Sequence, residues 1–339
     1  MPKTRDPWLD NAKMVLVTVV VVGHMIVLVP TSTTESRVYD FIYYFHIPAF
    51  VLLTGYLSKS FRYSRRHLWA LVTTLVLPYF LFSWLMAQFR HHVGGEPMLD
   101  PIWTDPRWPM WYLAVVIIWR LATPLLRVHP VMVPVSIAVS LLGGLTNQEL
   151  FDLNRAMGLL PFFVIGLYLA PGHLALVRRR GAWVAGLVGL AGLWWLTQFT
   201  DDLWSTQFLY WRAPYAELGA GDLEGMWIRA RLLVISLLAV AAVLTLIPHR
   251  QSFITRMGRW TLVVYLCHGF VVRYLEYEGF HDWLPNAPWP AIAISVAVGI
   301  ALALFLAWDP VARVLNYVVD PVNSVLKLRG RTTTGAGSR

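Results

Sequence analysis

Apolar residues along this chain come in long blocks rather than in strict alternation. The first, "KMVLVTVVVVGHMIVLVP" from Lys13 to Pro30, is broken only by Thr18 and His24 between Met14 and Pro30. Comparable blocks lie near 14–30, 39–57, 68–89, 108–123, 131–146, 156–170, 182–199, 229–247, 260–275 and 291–308. A helix needs about 20 apolar residues to cross the hydrocarbon core of a bilayer. The pattern therefore predicts an all-α polytopic membrane protein with about ten transmembrane helices. The fourth and fifth blocks, short and close together around "TPLLRVHP", have the least defined limits.

Charge orients these blocks. An even number of crossings puts both termini on one side, and 20 of the 28 Lys and Arg residues fall in the loops and termini of that side. The acidic residues divide the other way, 4 against 15. An excess of Lys and Arg marks the cytoplasmic face, so both termini are expected in the cytoplasm and the protein in the cell membrane. Composition agrees: 14% of residues are charged, with a mean hydropathy of +0.55, whereas soluble domains carry about 25% charged residues. The net charge of +9 is accounted for by this orientation and calls for no nucleic-acid partner. Lys3, Arg5 and Lys13 before the first block resemble the start of a signal peptide. No small-residue cleavage site follows and nine further blocks do, so a retained helix is expected. The reading is one membrane domain over 1–326 and a polar, disordered cytoplasmic tail over 327–339. The halves do not match as they do in many inverted-repeat transporters. "GLVGLAGL" around Gly186 suits close helix packing.

Against this apolar background the polar positions stand out. Lys13 and His24 are 11 residues apart, close to three helical turns, so they share a face with His24 about 16 Å further in. That depth places His24 near the bilayer midplane. Ionisable side chains there normally face a bundle interior or a water-filled cavity and serve function, although a neutral histidine bonded between helices is the plainer alternative. In "YDFIYYFHIPAFVLLTGYLSK" His46 falls at a similar depth from the outer face, so both rings can share one cavity. Pro48 beside it can loosen the helix and free a carbonyl. In "FRYSRRHLW" Arg62, Arg65 and Arg66 form a compact guanidinium cluster. Arginine suits phosphate because its planar fork donates paired hydrogen bonds, while membrane-flanking charge is the bland account. "WPMWYL" brings Trp108, Trp111 and Tyr112 to the outer face, as an interfacial aromatic belt or as a platform for a sugar ring. One cysteine, Cys267, excludes a disulfide framework and any cysteine-based metal site. His91 and His92 read as surface histidines, so no metal is expected. Neither a nucleophile elbow nor a phosphate-binding Gly-Lys-Ser/Thr loop is present.

Taken together, these stretches resemble the membrane acyltransferase-3 family, in particular its fucose 4-O-acetylase-like branch. The family's signature of a basic residue, a ten-residue gap and a histidine is matched by Lys13 and His24. "FHIPAFVLLTGYL" resembles its second-helix stretch through His46, Pro48 and Gly55, and Arg62 and Arg65 match its Arg-x-x-Arg motif. "WYL" at Trp111 to Leu113 resembles the fourth-helix motif, and "GRWTLVVYLCH" a late stretch through Gly258, Tyr265 and His268. The resemblance runs from Trp8 to about Ala307. Lys13 stands where Arg is commoner and Thr261 where Ser is usual; lysine gives up bidentate phosphate contact.

The resemblance implies an O-acyltransferase that moves an acyl group, commonly acetyl, from cytoplasmic acetyl-CoA to a hydroxyl of an extracytoplasmic sugar, glycan or glycolipid. Acetyl-CoA would be a co-substrate, with no permanently bound cofactor. His24 is the expected catalytic residue, with Lys13 and His46 in the same group, and Arg62, Arg65 and Arg66 would bind the donor. Trp111, Tyr112 and Arg155 (in "NRAMGLLPFF", at the outer mouth of the sixth block) would meet the acceptor, with Tyr265 and His268 as further candidates. A neutral imidazole can remove the hydroxyl proton during attack; a covalent acyl-histidine is the other route. The rival reading is a transporter or lipid-linked sugar flippase in which His24 relays protons.

Overall fold

The computed structural model describes residues 6–98, 101–106, 108–147 and 150–326. Among them there is no strand. The helices are α1 (Pro7–Ile26), α2 (Thr33–Tyr43), α3 (His46–Ser58), α4 (Arg65–Leu71), α5 (Leu77–His92), α6 (Trp111–Leu126), α7 (Met132–Leu142), α8 (Leu153–Gly158) and α9 (Leu160–Tyr168). They continue as α10 (Pro171–Val177), α11 (Ala182–Leu196), α12 (Thr200–Leu203), α13 (Asp222–Leu246), α14 (Phe253–Met257), α15 (Thr261–Tyr277), α16 (Pro288–Ala307) and α17 (Asp309–Val319). Six helical runs among the described residues are long and apolar enough to cross a membrane. The pair α8 and α9, bent by 61°, makes a seventh if it is one broken span. Helices α6, α7 and α15 occupy the remaining apolar blocks. The tail reading for 327–339 lies outside the described residues.

Several limits differ from those of the apolar blocks. Helix α1 begins at Pro7, with Asp6 as N-cap accepting the Trp8 N–H at 3.0 Å, and it ends four residues before Pro30. A residue before proline is disfavoured in the α region, which stops the helix short. His24 therefore stands in the last turn of α1 rather than at its middle. The polar first turns are buried because tertiary partners replace water. The Asn11 amide donates to the Pro248 and Arg250 carbonyls at 2.7 and 3.0 Å, and Lys13 pairs with Asp10 at 2.7 Å. Helix α13 likewise starts seven residues ahead of its block. The helix is started there by Gly221, whose N–H donates to the Glu224 carboxylate at 3.4 Å. Arg229 within it is 1% exposed, donating to the Ser140 carbonyl at 2.9 Å and lying 4.8 Å from the Tyr215 ring centre.

The second block is one 26-residue run broken at Tyr44–Phe45 between α2 and α3. Pro48 has no N–H to give, and the turn before it is correspondingly irregular. There the Ile42 carbonyl accepts the Phe45 N–H at 3.2 Å and the His46 Nδ1–H at 2.9 Å. The break thus aims His46 and holds its ring.

Long-range contacts sort the loops into two ends. At one end Arg178 pairs with Asp6 at 2.9 Å, Arg259 with Asp309 at 2.6 Å, and Arg127 donates to the Lys59 carbonyl. At the other, Tyr277 donates to Glu96 at 2.5 Å and Tyr39 bonds to Tyr210 at 2.7 Å. The arginine-rich loops gather at the first end and the aromatic and acidic loops at the second.

Helix α3 packs along α9 with backbone nearly in contact. A Cβ at Gly55 would run into the Phe163 carbonyl, and one at Gly166 into that of Leu52. Gly186 plays the same part between α11 and α13, where a Cβ would meet Thr245 and the Ala242 carbonyl. Backbone cannot yield as a side chain can. Gly55→Ala is expected to cost about 1–3 kcal/mol through overpacking, seen as a lower unfolding temperature of the detergent-purified protein. An unchanged transition would mean that α3 and α9 separate freely.

Candidate active site

A cavity of about 510 Å³ opens at the second end, between α1, α2, α3, α6 and α15. Regular spacing brings its wall together. Tyr39, Tyr43 and His46 continue one helical face across the α2–α3 break, and Tyr265, Val272 and Arg273 form another on α15. His24 joins from the last turn of α1, Trp111 and Tyr112 from the first turn of α6, and Arg155 from α8.

His24 is held by two rings. The Trp108 indole N–H reaches its two ring nitrogens at 3.1 and 3.2 Å, with the ring planes at 87°. His268 stacks behind it, centroids 5.4 Å apart and planes at 14°. The His268 Nδ1–H donates to the Val264 carbonyl at 3.0 Å, and its buried Nε2 has no partner among the described residues. Because a carbonyl can only accept, His46 and His268 both carry their proton on Nδ1. When neutral, each presents Nε2 as an acceptor. Neither is then suited to donate to a developing oxyanion; donors in the wall include Tyr39, Tyr43, the Trp108 indole, Arg155 and Arg273.

Arg155 is fixed three ways. It pairs with Asp152 at 2.7 Å, donates from Nε to the Tyr210 carbonyl at 3.0 Å, and lies 4.2 Å from the Trp111 ring centre. The Asp152 carboxylate is presented by a turn in which two successive non-glycine residues, Phe151 (φ 52°) and Asp152 (φ 55°), are left-handed. Such strain is found where surrounding structure over-determines a functional position. Nearer the rim, Arg273 lies 5.1 Å from the Trp108 ring centre and pairs with Glu276 at 2.7 Å. Glu96 accepts from Arg90 and Tyr277. Burial alone would raise the Glu96 carboxyl, but these bonds outweigh it and hold it below the usual carboxylate range. Paired charges on an aromatic wall can bind polyhydroxyl groups through fixed donors and acceptors.

Of the residues singled out in the sequence, the structure thus brings His24, His46, Trp111, Tyr112, Arg155 and Tyr265 to one cavity, with His268 directly behind. The Tyr265 hydroxyl donates to the Pro109 carbonyl. Lys13 does not line the cavity; it lies toward the opposite end of α1, paired with Asp10. Arg62, on the loop that leads into α4, and Arg65 and Arg66, in the first turn of α4, are exposed and also away from the cavity. His91 and His92 are exposed, bonded to the Glu96 carbonyl and Gln88, and no metal-binding group of side chains occurs among the described residues. Sequence reasoning missed Trp108 as a partner of His24, and also Tyr39, Tyr43, Tyr210, Asp152 and Arg273. The i, i+4, i+7 spacing of Tyr39, Tyr43 and His46 was the one signal available for part of this set.

A helical membrane protein with a histidine-bearing polar cavity at one end is the class that fold and site define. The acyltransferase-3 family model, described as an acyltransferase domain, matches residues 6–308. The chain belongs to this family and is a multi-pass membrane acyltransferase. No curated protein and no solved structure matches it. Membership weighs for acyl transfer and against the transporter reading of His24.

Proposed function

We propose that the protein transfers an acyl group, acetyl in the first instance, from cytoplasmic acyl-CoA to a hydroxyl of an extracytoplasmic carbohydrate, with His24 as general base. The observation that carries this reading is the placement of His24 in a cavity walled by Tyr39, Tyr43, Trp111 and the Arg155–Asp152 pair. That cavity opens at the end opposite the arginine-rich loops. A sugar ring stacks on the aromatic wall, and the fixed charges take its hydroxyls. The reacting hydroxyl replaces the Trp108 N–H at His24 and donates its proton to the imidazole while its oxygen attacks the thioester carbon. The oxyanion that forms is stabilised by donors in the wall, the charged Arg155 among them. Its collapse breaks the carbon–sulfur bond, and the imidazolium returns its proton to the leaving thiolate. The acyl-CoA, a polyanion, stays on the cytoplasmic side with its phosphates at Arg62, Arg65 and Arg66, while its slender arm carries the thioester inward. Lys13 sits on that same side, close to the base of α1, and its contribution is to the donor end. The likeness in sequence to the fucose 4-O-acetylase-like branch favours an exposed glycan or glycolipid hydroxyl as acceptor.

Purified protein incubated with labelled acetyl-CoA should transfer label to glycans from its own cell envelope, and a deletion strain should lose one O-acetyl group that its parent carries. Purified protein without transfer or hydrolysis of acetyl-CoA, together with unchanged glycans, would overturn the proposal. Sidedness has its own test, since Ser64 and Gly221 are both exposed, at the first and second ends respectively. In a Cys267→Ser background, Gly221→Cys should react in intact cells with an impermeant thiol reagent and Ser64→Cys should not. Labelling of both, or the reverse pattern, would break the assignment of donor and acceptor sides.

A further inference from the structure

Between the exposed arginine loop and the cavity lies a cation with no assigned role. Arg120 is on α6, eight residues past Tyr112 and six before the helix end at Leu126. At 1.5 Å per residue it lies about 12 Å beyond Tyr112 and about 9 Å short of the end of α6. It is half-buried, and its buried Nε has no hydrogen-bond partner among the described residues. A surface-seeking arginine would extend toward the nearer helix end. Helical side chains instead lean toward the helix N-terminus, which here means toward Tyr112 and the cavity. Tyr112 lines the cavity, and its hydroxyl bonds to Thr54 at 2.6 Å.

Two further features belong to the same turn. Pro124, four residues on, has no N–H to give the Arg120 carbonyl. The position therefore offers an acceptor as well as guanidinium donors. The Tyr63 hydroxyl, between Arg62 and Arg65, donates to the Leu121 carbonyl at 2.6 Å. This bond docks the arginine loop against α6 next to Arg120. A half-buried position with a spare donor and a spare acceptor, set between a phosphate-type arginine cluster and the reacting histidine, fits a ligand of amide groups in series.

We infer that Arg120 binds the pantetheine arm of the acyl donor through its amide oxygens, an assignment that rests on the acyl-CoA reading of the site. The phosphates remain outside at Arg62 and Arg65, and Arg120 steadies the arm whose thioester enters the cavity. A half-buried cation with no ion-pair partner among the described residues contributes little to folding, so Arg120→Met should purify and melt like the wild type.

The test is donor binding by three variants. Wild-type transfer from acetyl-CoA is measured first, and its absence would count against the proposed function itself. Given that activity, free pantetheine should compete with acetyl-CoA. Arg120→Met should weaken both the apparent donor KM and the pantetheine inhibition constant about tenfold or more, the size expected for one charge-assisted hydrogen bond, with the acceptor KM unmoved. Arg120→Lys should recover part of the loss, and Arg65→Ala should weaken acetyl-CoA but not pantetheine. A wild type indifferent to pantetheine, or an Arg120→Met enzyme that binds pantetheine and acetyl-CoA as tightly as wild type, would overturn the assignment. So would a loss confined to acetyl-CoA, because Arg120 would then meet phosphate.

Discussion

His24→Ala is expected to lower acyl transfer by about 10²–10⁴-fold, the range associated with loss of general acid–base help, while membrane insertion and purification yield stay normal. The expectation separates chemistry from folding on structural grounds. His24 sits in the last turn of α1 on the cavity wall, and its ring contacts are Trp108 and His268 rather than a structural carbonyl. Removing the ring enlarges a cavity that already exists and leaves the α1 backbone unaltered. His46 and His268 each have Nδ1 tied to a main-chain carbonyl, so neither can swing over to replace it. The acceptor KM should change less than kcat, since sugar contacts come from Trp111 and Arg155. Trp108→Phe gives the companion result: it keeps the ring beside His24 but removes the N–H that reaches it. A His24→Ala protein that transfers acetyl at a near wild-type rate would remove His24 from the mechanism.

Arg65→Ala is expected to raise the apparent KM for acetyl-CoA by about 10- to 150-fold, from a charge-assisted hydrogen bond of roughly 1.5–3 kcal/mol, with little effect on the acceptor. Arg65 and Arg66 occupy the first turn of α4 and are exposed. A cation there is disfavoured by the helix dipole, by about 0.3–1 kcal/mol, so helix stability does not explain the pair. Ser64 still caps α4 by accepting the His67 N–H at 3.3 Å, which leaves the helix start intact in the variant. Arg65→Lys should rescue only in part, because lysine keeps the charge and loses the fork. If the cluster serves orientation alone, both changes leave donor kinetics alone, as the other cytoplasmic charges still fix topology. An unchanged donor KM in Arg65→Ala would return the cluster to that role.

Helix positions and the two-sided distribution of charge could be read from the chain because each reports a local, one-dimensional cost. An apolar block must be about as long as the hydrocarbon is thick, and a polar one must find water or a partner. The same cost singled out His24, His46 and the "RYSR" loop, since ionisable groups in or beside a membrane are rare enough to stand out. Helix ends were less legible. Asp10 and Asn11 look like loop residues by polarity, yet they lie within α1, where Lys13 pairs with Asp10 one turn on and the distant Pro248 and Arg250 carbonyls accept from Asn11.

The site shows the same division more sharply. Depth along each helix led to the expectation that His24 and His46 share a region, while Tyr265 entered only through the family resemblance; the cavity lining holds all three. Only the tertiary structure decided that Trp108 meets His24 across 84 positions of sequence, that Arg155 closes on Trp111 while paired with Asp152, and that Lys13 is spent on Asp10 away from the cavity. The physical reason is range. Hydrophobic length and helical phase are set by neighbours along the chain. Which rings stack on a histidine, and which carboxylate fixes an arginine, depends on how separate helices pack, and glycine contacts such as Gly55 on Phe163 set that packing without leaving a periodic trace.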